Sequence, residues 1–317
     1  MTDTQNEVFK TPVNKIRLFE HGAPGSQNLK LTRKYYTEDM PDGRVKHIVQ
    51  NITDPDIVPY IPDGIGNSTD RQRVPAVLII PGGAFRRLVY NFEGEDVAKW
   101  LNSMGIAAFV LECRLPSDEH DNAEDVPLID AMRAMRVIRG RAQEFGIDEA
   151  KIGVMGFSAG GFMAALLSTA YESDVYADYK YKDEYDKLSA RPDFAVCSYP
   201  VISIDDCIEA GKRYMSEEQV LERISDGKAK ILHKYNPDKL VRPDMPPVFI
   251  CETDDDRTTL SENSVGFYMA ARKAGVSAEL HIFRTGGHGY GCGDDFAQTG
   301  EWKVLFTKWI KSIGIIS

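Results

Sequence analysis

A serine between glycines is the residue of this sequence best placed for nucleophilic chemistry. Ser158 lies in the segment Gly156-Phe157-Ser158-Ala159-Gly160-Gly161, directly after an apolar, strand-like run and before a helix-like one. A strand that turns sharply into a helix crowds the backbone around the serine, and glycine fits there because it has no Cβ. The hydroxyl would project at a helix N-terminus, where developing negative charge is favoured. The alternative is a glycine-rich turn with a capping serine.

One of the six histidines, His288, has the setting expected of a general base. It lies in the glycine loop 286–289, just past the end of a predicted strand, and catalytic side chains collect in loops at the carboxyl edge of a parallel sheet. His281 lies within a predicted strand, and we interpret it as structural. His120 lies in the acidic segment 118–121, whose irregular spacing does not suit metal ligands. We expect a solvated loop there.

Three consecutive aspartates supply the candidate acid. The apolar run 247–251 leads into Glu252-Thr253-Asp254-Asp255-Asp256, at the end of the strand before the histidine loop. One aspartate would accept a hydrogen bond from the Nδ1–H of His288, which fixes the tautomer and stabilises the imidazolium. The pattern leaves open which of Asp254, Asp255 and Asp256 does so.

Backbone amides could stabilise an oxyanion. The segment Pro81-Gly82-Gly83-Ala84-Phe85 follows the first predicted core strand, and the N–H groups of Gly83 and Ala84 could converge with that of Ala159 on one oxygen. The alternative is a tight strand-to-loop turn. The order serine, aspartate, histidine along the chain is that of the α/β-hydrolases and not of the other serine-hydrolase folds.

The elements that must position these residues alternate between strands and helices. Continuous apolar runs, which suit strands covered on both faces, occur at 74–80, 106–111, 152–155, 194–201, 247–251 and 278–283. Apolar residues at helical spacing lie between or after them, at 97–104, 128–138, 265–269 and 302–313. This alternation predicts a mostly parallel sheet with helices on both faces.

We predict a single domain over residues 1–317. Residues 1–73 are polar, with short apolar stretches at 45–52 and 57–61 that suggest strands at a sheet edge. Residues 171–188, which are acidic and carry five tyrosines, and residues 205–240, which are charged and predicted to be helical, suggest inserts above the carboxyl edge. The tyrosines could stack on sugar rings or pack the insert onto the sheet.

The composition excludes several classes of protein. The chain has 317 residues, 43% of them hydrophobic, and a net charge of −10, so it is neither disordered nor collagen-like, and no basic patch is evident for nucleic acid or an anionic membrane. Five scattered cysteines without a C-x-x-C pair predict reduced thiols and a cytoplasmic location, with neither a disulfide framework nor a zinc site. We see no signal-peptide pattern or membrane span, although a signal peptide could have been removed. We expect a small-molecule partner and no cofactor or metal, and a homo-oligomeric state stays open.

The chain resembles the serine esterases of the α/β-hydrolase fold, and among them the acetyl xylan esterase-like and feruloyl esterase-like carbohydrate esterases. The resemblance runs from about Ile57 to the C-terminus and is carried by the stretches 76–85, 93–101, 114–116, 156–161, 199–203, 261–264 and 279–289. It implies a mostly parallel central sheet with helical and loop inserts above its carboxyl edge. It also implies a nucleophile at Ser158 and a general base at His288.

The resemblance narrows the choice of acid. The family acid lies in a segment resembling T-x-D-D-x-x-V-P-x-E-N-S, which, laid on Thr253 to Ser264, implies Asp256, with Asp255 as the fallback. The sequence departs from this pattern at 257–260, where Arg-Thr-Thr-Leu replaces an apolar stretch. It departs again at Ala84, where a third glycine is common. Ala84 would still offer its N–H to an oxyanion if its φ is negative.

The activity that the resemblance implies is that of a serine carboxylesterase acting on short acyl esters, acetyl esters above all. The substrate would be a carbohydrate such as acetylated xylo-oligosaccharides. An arylformamidase-like amidase or a general small-ester carboxylesterase would use the same residues, and a hydrolase-fold small-molecule binder would use none of the chemistry. About 75 residues before the core cannot hold the propeller of a prolyl-oligopeptidase-type peptidase, and charged inserts do not suit a lipase lid.

Overall fold

The structure is a computed structural model that describes residue 9 and residues 13–65, 73–213, 216, 218–219, 229–293 and 298–317. The strands of these residues are β1 Ile16–Arg17, β2 Lys34–Asp39, β3 Val45–Gln50, β4 Asp56–Tyr60, β5 Val74–Ile80, β6 Leu88–Val89, β7 Ala107–Glu112, β8 Ile147–Phe157, β9 Ala195–Ser198, β10 Val248–Thr253 and β11 Ala278–Phe283. The α-helices are α1 Asp96–Ser103, α2 Val126–Gly140, α3 Ala142–Phe145, α4 Ala159–Ala170, α5 Ile204–Lys212, α6 Ala229–Lys234, α7 Ser261–Lys273 and α8 Glu301–Ser312. One turn of π-helix, Asn91–Glu95, leads into α1.

Eight strands form the central sheet, in the order β1-β4-β7-β5-β8-β9-β10-β11. The six strands β7, β5, β8, β9, β10 and β11 are parallel to one another, whereas β4 pairs antiparallel with both β1 and β7. Every residue of β7, β9 and β10 is buried, as expected for strands covered on both faces. The predicted mostly parallel sheet is therefore confirmed.

Helices cover both faces of this sheet. Helix α1 leads from β5 towards one edge and α4 leads from β8 towards the other, so right-handed crossovers place these two helices on opposite faces. Helix α8 joins α1, with Trp100 and Trp302 in edge-to-face contact at 4.9 Å between ring centroids. Helix α2 packs against α4. Since the parallel strands point the same way, their carboxyl ends share one edge, where β8 ends at Phe157 and β10 at Thr253.

The two strands predicted in the N-terminal region lie in different sheets. Strand β3 belongs to a separate antiparallel sheet of order β2-β3-β6, and β4 lies inside the central sheet between β1 and β7. A buried carboxylate ties this region down: Glu112, at the end of β7, accepts hydrogen bonds from Lys15 at 2.7 Å, Arg33 at 2.7 Å and the Tyr35 hydroxyl at 2.9 Å. These contacts are distant in sequence, so local patterning did not reveal them.

The tyrosines of residues 171–188 pack this segment onto the fold. Tyr176 is buried and contacts Arg136, and Tyr179 donates a hydrogen bond to the carbonyl oxygen of Gly22 at 2.9 Å. The remaining three, Tyr171, Tyr181 and Tyr185, contact Asp244, His21 and Arg133 respectively. These contacts agree with the packing role considered for the tyrosines, rather than with stacking on sugar rings. In residues 205–240, α5 and α6 are helical as predicted, and the rest of that range lies partly outside the described residues.

The expected solvated loop at His120 is wrong. His120 is 5% exposed, its Nδ1 lies 3.0 Å from Ser26 Oγ, and burial lowers its pKa to about 4. The reason is that the N-terminal segment folds over this loop, where Ser26 also accepts a hydrogen bond from Arg114 at 2.8 Å. Among the described residues, no group of three or more His, Cys, Asp or Glu side chains has metal-binding geometry, and no helix is long and apolar enough to cross a bilayer.

Candidate active site

Ser158 is the turn residue between β8 and α4. Its backbone has φ 53° and ψ −119°, a conformation that a residue with a side chain rarely adopts. Adjacent glycines make the turn possible, because a Cβ on Gly156 would overlap the carbonyl group of Gly160, and one on Gly160 would overlap that of Ile80. The predicted strand–turn–helix setting is confirmed, and it holds the serine hydroxyl at the first turn of α4.

Ser158, His288 and Asp256 form a chain of hydrogen bonds. Ser158 Oγ lies 2.8 Å from His288 Nε2, and His288 Nδ1 lies 2.7 Å from Asp256 Oδ2. Burial alone would raise the pKa of Asp256, but the hydrogen bond and charge of His288 lower that pKa below its ordinary value. An ionised Asp256 can only accept, so Nδ1 carries the proton and Nε2 is left to accept from the Ser158 hydroxyl.

The other two aspartates do not contact His288. Asp255 Oδ1 accepts hydrogen bonds from the backbone N–H groups of Gly286 at 2.9 Å and Gly287 at 2.8 Å. Asp254 Oδ1 accepts a long one of 3.5 Å from Ser261 Oγ. Of the three candidates, Asp256 therefore has the geometry of the acid, whereas Asp255 holds the histidine loop.

The sequence departure after Asp256 supplies hydrogen bonds to that carboxylate. The N–H groups of Thr258 and Thr259 donate to Oδ1 at 2.7 and 3.0 Å, and the Thr259 hydroxyl donates to Oδ2 at 2.9 Å. Sequence reasoning missed Thr259 as a functional residue. The available signal was the spacing D-x-T-T, because an aspartate commonly accepts from amides two and three residues further on.

A second buried carboxyl group, Glu252, lies close enough to Asp256 for the two to interact electrostatically. Burial, reinforced by the negative charge of Asp256, raises the pKa of Glu252 well above its ordinary value. Its oxygens also accept from the Thr253 N–H at 3.0 Å and from Ser264 Oγ at 3.2 Å. A protonated Glu252 can donate a hydrogen bond to Asp256, so the two carboxyl groups do not repel each other.

The loop after β5 presents two unpaired amides. Among the described residues, the backbone N–H groups of Gly83 and Ala84 have no hydrogen-bond acceptor. Ala159 begins α4, so its N–H has no acceptor within the helix. The condition of a negative φ at Ala84 is not met, yet its N–H stays unpaired among the described residues and can still be offered to an oxyanion. Its φ is 57° and that of Phe85 is 59°, because the chain makes a tight turn closed by the Arg86 N–H and the Gly83 carbonyl oxygen at 3.2 Å.

A buried glutamate links this loop to the histidine loop. Glu93 Oε2 accepts from the Gly82 N–H at 2.8 Å, and Oε1 accepts from the Tyr199 hydroxyl at 2.9 Å. That hydroxyl in turn accepts from the Gly291 N–H at 3.0 Å. Sequence reasoning recorded Glu93 only within a family-like stretch and assigned it no role, since nothing local showed which amides its oxygens would meet.

The pocket beside Ser158 has a volume of about 260 Å³, at the small end of ligand sites. The small sheet and the loops that join it to the core form one wall. The lining residues are Met40, Arg44, Lys46, Gly83, Ala84, Arg87, Val89, Phe92, Glu93, Ser158, Thr258, His288 and Gly289. No tyrosine of residues 171–188 is among them, so the observed pocket does not support stacking of those tyrosines on a sugar.

A larger groove of about 600 Å³, which includes Val74 and Lys151, lies towards the amino ends of β5 and β8, away from Ser158 and His288.

The sheet order and the turn at Ser158 define the α/β-hydrolase fold. The model of the BD-FAE family matches residues 65–270, and the chain belongs to that family. A solved acetyl ester-xyloside bifunctional hydrolase from Caldicellulosiruptor lactoaceticus is similar, with a TM-score of 0.68, 37% identity, and coverage of 83% of this chain and 90% of that one. The carboxylesterase Cest-2923 from Lactobacillus plantarum WCFS1, with a TM-score of 0.67, 20% identity, and coverage of 90% and 99%, shares the fold.

A similar curated protein is also named as an esterase of acetylated sugars. The chain is 31% identical over 240 residues to an acetylxylan esterase of Xylanibacter ruminicola, and the match covers 75% of this chain and 45% of that protein. The chain spans less than half the length of the curated relatives it matches.

Proposed function

We propose that this protein is a serine carboxylesterase that hydrolyses short acyl esters, acetyl esters above all, carried by a carbohydrate such as acetylated xylo-oligosaccharides. The observation that carries the proposal is the chain of hydrogen bonds of 2.8 and 2.7 Å from Ser158 through His288 to Asp256. The names of the similar proteins, an acetylxylan esterase and an acetyl ester-xyloside hydrolase, support the carbohydrate acetyl ester as substrate.

The proposed reaction proceeds through an acyl-enzyme. Ser158 Oγ attacks the ester carbonyl carbon while its proton moves to His288 Nε2. The N–H groups of Gly83, Ala84 and Ala159 stabilise the oxyanion, and Asp256 stabilises the imidazolium. Collapse of the tetrahedral intermediate breaks the C–O bond to the alcohol, which leaves with the proton from His288. Water, deprotonated by His288, then attacks the acyl group and releases the acid and free Ser158.

The test measures hydrolysis of 4-nitrophenyl acetate and of acetylated xylo-oligosaccharides by the full chain and by Ser158→Ala. We expect turnover of both esters by the unaltered chain and loss of essentially all turnover in the variant, with unchanged circular dichroism. Equal hydrolysis by the variant would exclude Ser158 as the nucleophile. A folded chain that cleaves an N-formyl aryl amide but neither ester would instead be an amidase, and one that cleaves nothing would be a binder.

A further inference from the structure

Three cationic side chains from separate segments line the pocket of Ser158 and His288. Arg44 and Lys46 come from the β2–β3 hairpin, and Arg87 lies directly before β6. Register places them together, because β3 pairs with both β2 and β6 in the small sheet. No basic patch was evident from the sequence, since some 40 residues separate Lys46 from Arg87 and acidic residues adjoin both Arg44 and the segment after Arg87.

The positive charge of this wall is only partly neutralised. Arg87 pairs with Glu38 at 2.6 Å, and Arg44 pairs with the half-exposed Asp42 at 2.8 Å. Lys46 is opposite Glu38 across the β2–β3 ladder, but its ammonium group makes no ion pair with any described residue. Lys46 is therefore the cation of this wall that no described carboxylate pairs with.

Among the described lining residues, Glu93 is the one carboxyl group, and the positive charge of Lys46 acts on it although the two form no ion pair. Its two oxygens are occupied by the Gly82 N–H and the Tyr199 hydroxyl. Burial raises its pKa, which favours the neutral form. The pocket thus combines a basic wall with a chain whose net charge is −10. A local field opposite in sign to the whole molecule attracts and orients an anion at that place.

We propose that the wall of Arg44, Lys46 and Arg87 binds a carboxylate carried by the ester substrate, with Lys46 as its main contact. This inference rests on the proposed esterase function and narrows its substrate class. The carboxylate can come from the alcohol, as in a uronic acid residue beside the acylated sugar, or from the acyl group, as in the half ester of a dicarboxylic acid. Both present the same group to a half-buried ammonium ion, a charge-assisted contact.

The experiment compares matched pairs of esters that differ in one carboxylate. For the alcohol side, the pair is an acetylated xylotriose with a glucuronic acid branch and the same compound with that carboxyl reduced to the alcohol. For the acyl side, the pair is the 4-nitrophenyl half ester of glutaric acid and its methyl-capped form. The selectivity is the ratio of kcat/KM for the anionic ester to that for the neutral one, and we expect it to exceed one for at least one pair.

Variants of Lys46 test whether the selectivity comes from the wall of Arg44, Lys46 and Arg87. We expect Lys46→Gln to lower it about tenfold, as for loss of one charge-assisted contact, and Lys46→Glu to reverse it. Lys34→Gln is the matched control, because Lys34 is an exposed lysine of the same small sheet outside the pocket, and the selectivity should not change. A ratio of one or less for both pairs, or a selectivity that Lys46→Gln leaves unchanged, would overturn the proposal.

Measurements of binding distinguish a failure of the carboxylate proposal from a failure of the esterase proposal. If neither member of a pair is hydrolysed, the esterase function fails, and calorimetry then decides on the carboxylate. The unaltered chain should bind the deacetylated, glucuronic acid-branched xylotriose more tightly than its carboxyl-reduced form, and Lys46→Gln should remove the difference. Equal affinities would exclude a carboxylate on the alcohol side, and together with a ratio of one or less for the glutaric acid pair they would contradict the carboxylate site.

Discussion

Asp255 and Asp256 are neighbours in the chain that serve different partners. Asp256 contacts the imidazole of His288, and its second oxygen accepts two backbone N–H groups. Asp255 accepts hydrogen bonds from the backbone of the loop that carries the histidine. Asp256 fixes the tautomer of His288, whereas Asp255 fixes the position of the loop that carries it. The two asparagine variants should therefore lower the activity by different amounts.

We expect Asp256→Asn to lower kcat about 10⁴-fold, because an asparagine can hold the imidazole with its proton on the wrong nitrogen. Asp255→Asn should cost at most about 100-fold, since a loosened loop misplaces the base without changing its tautomer. The measurement is kcat for 4-nitrophenyl acetate, with thermal unfolding to show that both variants fold. A larger loss in Asp255→Asn would contradict the assignment.

At the scale of elements, the strand ends that carry the site were predictable and the wall of the pocket was not. Strand β5 matches the predicted run 74–80, because a buried strand in a parallel sheet is apolar without interruption. Strand β11 matches the run 278–283, although it lies at the sheet edge, is only partly buried and carries Glu279 and His281 between its apolar residues. Ser158 and His288 follow from glycine-rich turns after such strands. Lys46 could not be predicted as a pocket residue, because its place beside Arg87 depends on the pairing of β3 with β6, which is distant in sequence.

Glu252, in β10, makes stability depend on pH. Its raised pKa means that the folded chain keeps this proton at pH values where the unfolded chain has lost it. The resulting stabilisation is complete below the ordinary pKa of glutamate and is lost as pH rises through the raised pKa of the folded state. We expect the Tm of Glu252→Gln, relative to the unaltered chain, to increase as pH rises above the ordinary pKa of glutamate, because the variant lacks this titration. Parallel Tm curves against pH would show that Glu252 titrates normally.

At the scale of the whole molecule, residues before β5 complete both the core and the pocket. The Glu112 network fastens the N-terminal region to the central sheet, and the small sheet of that region supplies Arg44 and Lys46. This region also folds over the loop of His120, where Ser26 contacts the histidine, and for this reason the expectation of a solvated loop was wrong. A local sequence pattern carries no information on which distant segment will cover it.

Removing the central carboxylate of this network should destabilise the chain strongly. We expect Glu112→Ala to lower the free energy of unfolding by about 3–5 kcal/mol, because Lys15 and Arg33 lose a fully buried partner. The control is Glu144→Ala, which breaks the more exposed pair with Arg141 and should cost at most about 1 kcal/mol. Urea unfolding measures both values. Similar losses in the two variants would show that the network does not fasten the N-terminal region.

The identity of the nucleophile is tested most directly by covalent labelling. A fluorophosphonate reacts with a serine hydroxyl only where an adjacent base and an oxyanion site activate it. We expect one label per chain, located at Ser158 by peptide mass spectrometry, with esterase activity falling in proportion to labelling and with no label on Ser158→Ala. A folded chain that hydrolyses 4-nitrophenyl acetate while Ser158 stays unlabelled, or one labelled at another serine with loss of activity, would contradict the account.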